Sequence, residues 1–85
     1  MDYRITDMRN KEVINIADGE RMGYIYDLLF SGETGRITAV ILPGESKLLG
    51  FFGRGDDILI PWEKVKKVSG DMILVEVNKQ EKALF

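Results

Sequence analysis

Turn-forming residues break this chain so often that neither a long helix nor a long apolar run has room to form. Asp18-Gly19, Gly32 with Gly35, Pro43-Gly44, the trio Gly50, Gly53 and Gly55, and Gly70-Asp71 divide 85 residues into short apolar pieces. Asp-Gly tolerates the positive φ that tight hairpins demand. The pieces between are rich in β-branched and aromatic residues: Val13-Ile14-Asn15-Ile16, Met22 to Phe30, Arg36 to Leu42, Ile58-Leu59-Ile60, Lys66 to Val68 and Met72 to Val77. No segment sustains a 3.6-residue period. The pattern predicts about five or six strands joined by short turns. One helical turn is expected around Ile5 and Met8, and another at Trp62-Glu63-Lys64-Val65.

Met22 to Phe30 reads as the longest strand. Gly23, Ile25, Asp27 and Leu29 would share one face, and Tyr24, Tyr26, Leu28 and Phe30 the other. Two largely apolar faces exceed what a half-solvated sheet needs. A strongly curved sheet, closed on itself and covered outside by a loop, accounts for both. In the next strand Arg36 and Thr38 alternate with Ile37, Ala39 and Ile41, predicting one wet and one dry face. Pro61 donates nothing to a ladder, so a strand should end or lie at an edge there. The fold class expected is all-β: a small antiparallel barrel, closed or nearly so, with a short helical turn.

Bulk numbers narrow the function. The length suits one domain, residues 1–85, with a core over about 12–77 and a tail over 78–85. With 45% hydrophobic and 31% charged residues the chain should fold rather than stay disordered. A formal net charge of −2 argues against a nucleic-acid partner, which usually calls for a basic excess. The chain has no cysteine and no histidine. Disulfides, thiolate metal sites and a cysteine nucleophile are excluded, along with the commonest general base and the commonest transition-metal ligand. Asp2, Arg4, Asp7 and Arg9 interrupt the apolar core that an export signal would need. No run is long enough to cross a bilayer as a helix. A cytoplasmic protein with no catalytic residue, metal or cofactor is expected.

Several short motifs invite a chemical reading, and each has a plainer one. Gly50, Gly53 and Gly55 precede a strand rather than a helix N-terminus, so they do not form a phosphate loop. Gly50-Phe51-Phe52-Gly53 matches a GXXG pattern but lacks the flanking helices of an RNA clamp. Arg54-Gly55-Asp56 is a coincidental tripeptide in a chain without an export signal. Asp18, Glu33, Asp56 and Asp57 show no calcium-loop spacing and read as turn formers. Lys64, Lys66 and Lys67 read as a solvated edge that discourages strand pairing, with an RNA contact as the weaker alternative. Asp27 lies between Ile25 and Leu29 on one face; it is expected to accept hydrogen bonds from a neighbouring turn or from Arg36. Trp62, directly after a strand-ending proline, is expected to plug one end of the barrel.

The sharpest functional signal is Leu48-Leu49-Gly50-Phe51-Phe52-Gly53-Arg54, apolar yet too broken for a regular helix or strand. Such a loop either completes its own core or meets a partner. Leu48, Leu49, Phe51 and Phe52 are the expected partner-binding residues, with Arg54 at the rim. Burying such side chains contributes roughly 1.5–3 kcal/mol each. A homodimer, or docking of an unidentified protein, is the expected use.

Taken in order, these pieces resemble the PRC-barrel family, a small β-barrel found in reaction-centre H subunits and ribosome-maturation proteins. The residues carrying the resemblance are Asp18-Gly19, Gly23 with Asp27, and Thr34-Gly35-Arg36-Ile37. Ile60-Pro61-Trp62-Glu63 with Val65 and Val68 is the strongest element, followed by Asp71 ahead of Ile73 and Val75. The likeness spans roughly Glu12 to Val77. Leu48 to Arg54 ahead of Ile60-Pro61-Trp62-Glu63 is similar to a stand-alone, sporulation-associated subgroup of the YlmC/YmxH type. The resemblance implies a non-catalytic protein-interaction module, with an RNA-binding or ribosome-assembly adaptor using Lys64, Lys66, Lys67 and Arg36 as the alternative. Neither the second domain of ribosome-maturation members nor the membrane helix of reaction-centre subunits is expected, so neither of those activities is carried over.

Overall fold

The computed structural model describes residues 2–44 and 57–78, and the backbone of residues 83 and 84. A five-residue helix, α1 (Ile5–Arg9), opens the chain; the Arg4 backbone N–H donates to the Asp7 carboxylate at 3.2 Å. Met8 is its one buried residue and fixes the helix to the core. The helical turn expected at Ile5 and Met8 is present.

Strands β1 (Glu12–Asn15) and β2 (Arg21–Tyr24) pair antiparallel around the Asp18-Gly19 turn. Gly19 sits at φ 75°, and the Asp18 side chain accepts the Glu20 N–H at 2.9 Å. Strands β3 (Asp27–Phe30) and β4 (Ile37–Leu42) form a second hairpin. Strand β5 (Ile58–Pro61) pairs with β4 and ends at its proline, as expected. A 3-10 turn, Trp62–Lys64, leads into β6 (Val65–Val68), which pairs antiparallel with β7 (Met72–Val75). The two-residue strand β8 (Ala83–Leu84) adds to β5.

The architecture is all-β, as expected, with three departures in detail. Hydrogen-bonded ladders give two four-stranded sheets, ordered β2-β1-β7-β6 and β3-β4-β5-β8, and no ladder among the described residues joins them into one closed cylinder. One pair, β1 with β7, is parallel, matching Glu12 to Met72 and Asn15 to Val75. The segment read as one strand from Met22 to Phe30 is two strands that belong to different sheets. Ile25 and Tyr26 form the corner between them, with Ile25 only 2% exposed.

The core lies between the sheets. Val13, Ile73 and Val75 enter it from one, Val40, Leu42 and Ile60 from the other, with Met8, Ile25 and Val77 at the margins. Strand β4 corrects the expected wet and dry faces. Val40 and Leu42, on the Thr38 side, reach the core; Ala39 and Ile41 on the opposite side are equally enclosed. Trp62 packs against the core from the end of β5, consistent with a plug.

Candidate functional site

The expected partner residues Leu48, Leu49, Phe51, Phe52 and Arg54 lie outside the described residues, as does Asp56. The other candidates are separated. Asp18 and Glu33 sit in exposed turns, where their local backbone closes on Asp18 and on Ser31. Asp27 is exposed rather than buried, and its Oδ1 accepts the N–H of Leu28 at 2.8 Å. The corner at Ile25 turns it outward. Asp57 is buried and accepts a hydrogen bond from the Tyr26 hydroxyl, tying the corner to the start of β5. Among the described residues no three carboxylates converge on a metal-sized site.

Lys66 and Lys67 are exposed on β6, an edge strand, and Lys66 Nζ reaches the Glu63 carbonyl at 3.4 Å. Arg36 lies on the β3–β4 turn, in the other sheet. Trp62 shares a hollow of about 640 Å3 with Tyr3, Met8, Ile37 and Val68. Tyr3 is held there by its hydroxyl, which donates to the Val68 carbonyl at 3.3 Å. Lys11 escaped the sequence reading. It is 7% exposed, donates to the Gly70 carbonyl at 2.7 Å and stands 5.1 Å from the Tyr3 ring centre. Its ammonium is held by a carbonyl and a ring face, and it clamps the β6–β7 turn against α1.

Among the described residues an apolar hollow lies between α1 and β3. A groove of about 480 Å3 has Ile25, Leu28 and Ile37 on its floor and Ile5 and Phe30 at its rim. Ile5 is 55% exposed and Phe30 69%. A second hollow of about 470 Å3, bordered by Met22 and Tyr24, continues past the same Arg9, Ile25 and Tyr26. Five large apolar side chains among the described residues are exposed, and three of them, Ile5, Tyr24 and Phe30, border these two hollows. That clustering distinguishes the surface from singly scattered apolar residues, which carry no meaning. Strand alternation had grouped Phe30 on one face with Tyr24, Tyr26 and Leu28; its place at the end of β3, before the Ser31-Gly32 turn, was the missed signal of its exposure.

Charge flanks the groove on both sides. Arg9 stands on the α1 wall and Asp27 on the β3 wall. Among the described residues the one ion pair is Arg21 with Glu12, 3.0 Å apart and bridging β2 to β1. Arg9 and Asp27 therefore make no ion pair within those residues. No helix among the described residues is long and apolar enough to cross a membrane.

Comparison with known proteins agrees with this architecture. A "Probable sporulation protein YlmC" from Bacillus subtilis is 39% identical over 75 residues, covering 88% of this chain and 93% of that protein. An uncharacterised Clostridium acetobutylicum protein is 41% identical over 73 residues, covering 86% and 83%. A second Bacillus subtilis protein, the uncharacterised YmxH, is 33% identical over 79 residues, covering 91% and 92%. The model of the PRC-barrel domain matches residues 1–82. With that match over nearly its whole length, and relatives aligned over most of theirs, the chain belongs to the PRC-barrel family.

Proposed function

We propose that this chain is a non-catalytic protein-interaction module that works as a homodimer in a sporulation-associated process. The observation that carries the reading is the exposed apolar groove between α1 and β3, with Ile5 and Phe30 standing at its rim. Side chains of that size left in water are a standing incentive to associate. A core drawn from an 85-residue chain is modest, so burial between copies would add to its stability. The sporulation context rests on the printed name of the Bacillus subtilis relative. The contact region expected from sequence at Leu48, Leu49, Phe51, Phe52 and Arg54 remains part of the proposal as a second candidate for partner binding.

Light scattering across a micromolar concentration series tests the association. A mass of twice the chain is expected, and a single-chain mass throughout would overturn the homodimer. Deleting the gene in its host and counting heat-resistant spores tests the context; an unchanged spore yield counts against it. Turnover of a metabolite by the purified protein would end the non-catalytic reading.

A further inference from the structure

The geometry points to the α1–β3 groove as a two-fold interface in which a second copy of this chain inserts its own Phe30. This assignment rests on the homodimer reading and specifies its surface. A two-fold contact requires a patch that is complementary to itself, because each side presents the same residues. The α1–β3 surface meets that requirement in two ways. Phe30, 69% exposed, protrudes beside the hollow floored by Ile25, Leu28 and Ile37, so knob and hole sit next to each other on one chain. Arg9 and Asp27 stand on opposite walls of that hollow. A two-fold rotation brings the Arg9 of one copy to the second copy's Asp27, and the reverse, forming two equivalent ion pairs at the rim.

The edges of the two sheets favour this side. Edge strand β6 carries exposed Lys66 and Lys67, a charge pattern that resists pairing. Among the described residues, strands β2 and β3 are also edges; beside Arg21 and Asp27 they carry the exposed Tyr24 and Phe30. The contact is made by side chains and not by adding a strand. On β3 itself, Leu28 gives its N–H to the Asp27 carboxylate.

A charge-swap experiment tests the assignment. Arg9→Asp places two carboxylates opposite each other at both rims, and Asp27→Arg places two guanidinium groups there. Each variant alone should lose the dimer, with Kd raised by about tenfold or more. An equimolar mixture should regain it. In the mixed dimer the introduced carboxylate faces the introduced guanidinium at one rim, while the native Arg9 faces the native Asp27 at the other. Both positions are exposed, and circular dichroism with a urea midpoint confirms that each variant folds. Phe30→Ser should weaken the dimer and keep the fold. Variants that fold and remain dimeric would overturn this surface while leaving the homodimer standing, all the more so if Phe51→Ser/Phe52→Ser alone dissolves it. Single variants that turn monomeric but fail to recombine would overturn the two-fold pairing. A monomeric wild type would overturn both readings and leave the groove to a different protein.

Discussion

The carboxamide of Asn15 holds the backbone of Val77 by both of its polar groups: Nδ2 donates to the Val77 carbonyl at 2.7 Å, and Oδ1 accepts the Val77 N–H at 3.1 Å. Strand β7 stops at Val75, so this side chain extends the parallel pairing two residues beyond the ladder. Both residues are almost wholly buried. Asn15→Ala strips the two groups of Val77 of their partners, at a cost of roughly 1–3 kcal/mol for each buried group left unsatisfied. The urea midpoint should fall accordingly. Asn15→Asp keeps an acceptor but turns an oxygen toward the Val77 carbonyl, and should be at least as damaging; a wild-type midpoint for either variant would show that the clamp is idle.

Two glycines in the β3–β4 turn separate backbone strain from crowding. A Cβ added at Gly32 or at Gly35 would meet nothing within 4 Å, but only Gly35 has a positive φ, 74°. Gly35→Ala should cost about 1–2 kcal/mol through the left-handed backbone alone. Gly32→Ala should stay close to wild type. Paired thermal melts decide it, and equal losses would mean that the turn relaxes around Gly35.

Tyr26 and Asp57 are coupled across the corner that joins the sheets. Tyr26→Phe withdraws a donor from a buried carboxylate and should destabilise by roughly 1–3 kcal/mol. A double-mutant cycle with Asp57→Asn measures how much of that loss belongs to the pair. Strictly additive losses would show that the hydroxyl and the carboxylate act independently.

The Arg21–Glu12 pair should be nearly silent. Hydrogen bonding to Glu12, and then its charge, raises the Arg21 pKa above its already high ordinary value. A raised folded-state pKa lends stability that is fully present below the unfolded value and is lost only as pH climbs through the folded one. For arginine that window lies far above neutrality, so Arg21 adds no slope from weakly acid to weakly basic pH. The Arg21 side chain is 75% exposed, where water screens the attraction. Arg21→Ala should leave both the melting temperature and the shape of the stability-against-pH curve unchanged; a clear drop in either would mean that the pair fixes the register of β1 and β2.

Local chemistry made the elements legible in the sequence. The Asp18-Gly19 turn, the helical turn at Ile5 and Met8, the stop at Pro61 and the turn at Trp62 are dictated by a few adjacent residues, and each forms as read. Pairings set by distant residues were not legible. Nothing near Val13 announces that it will lie beside Ile73 in parallel. The run from Met22 to Phe30 kept a two-residue rhythm through Ile25 and Tyr26, so the change of sheet was hidden even though its two apolar faces hinted at it. The same break turned Asp27 outward and left Phe30 in water. Apolar composition drew attention to Leu48 through Phe52, whereas the groove depends on α1 and β3, distant in sequence, coming together.

The parallel match of Glu12–Asn15 to Met72–Val75 bears on how the chain is made. Strand β1 leaves the ribosome long before its central neighbour β7 is synthesised. Until then the hairpin of β1 and β2 lacks half of its sheet, and the core is missing Ile73 and Val75. Pairings that span so much of the chain also slow folding, because a large loop must close before they form. The nascent domain therefore cannot complete itself before β7 clears the exit tunnel, and a transcript cut short ahead of Met72 yields a product open to proteolysis.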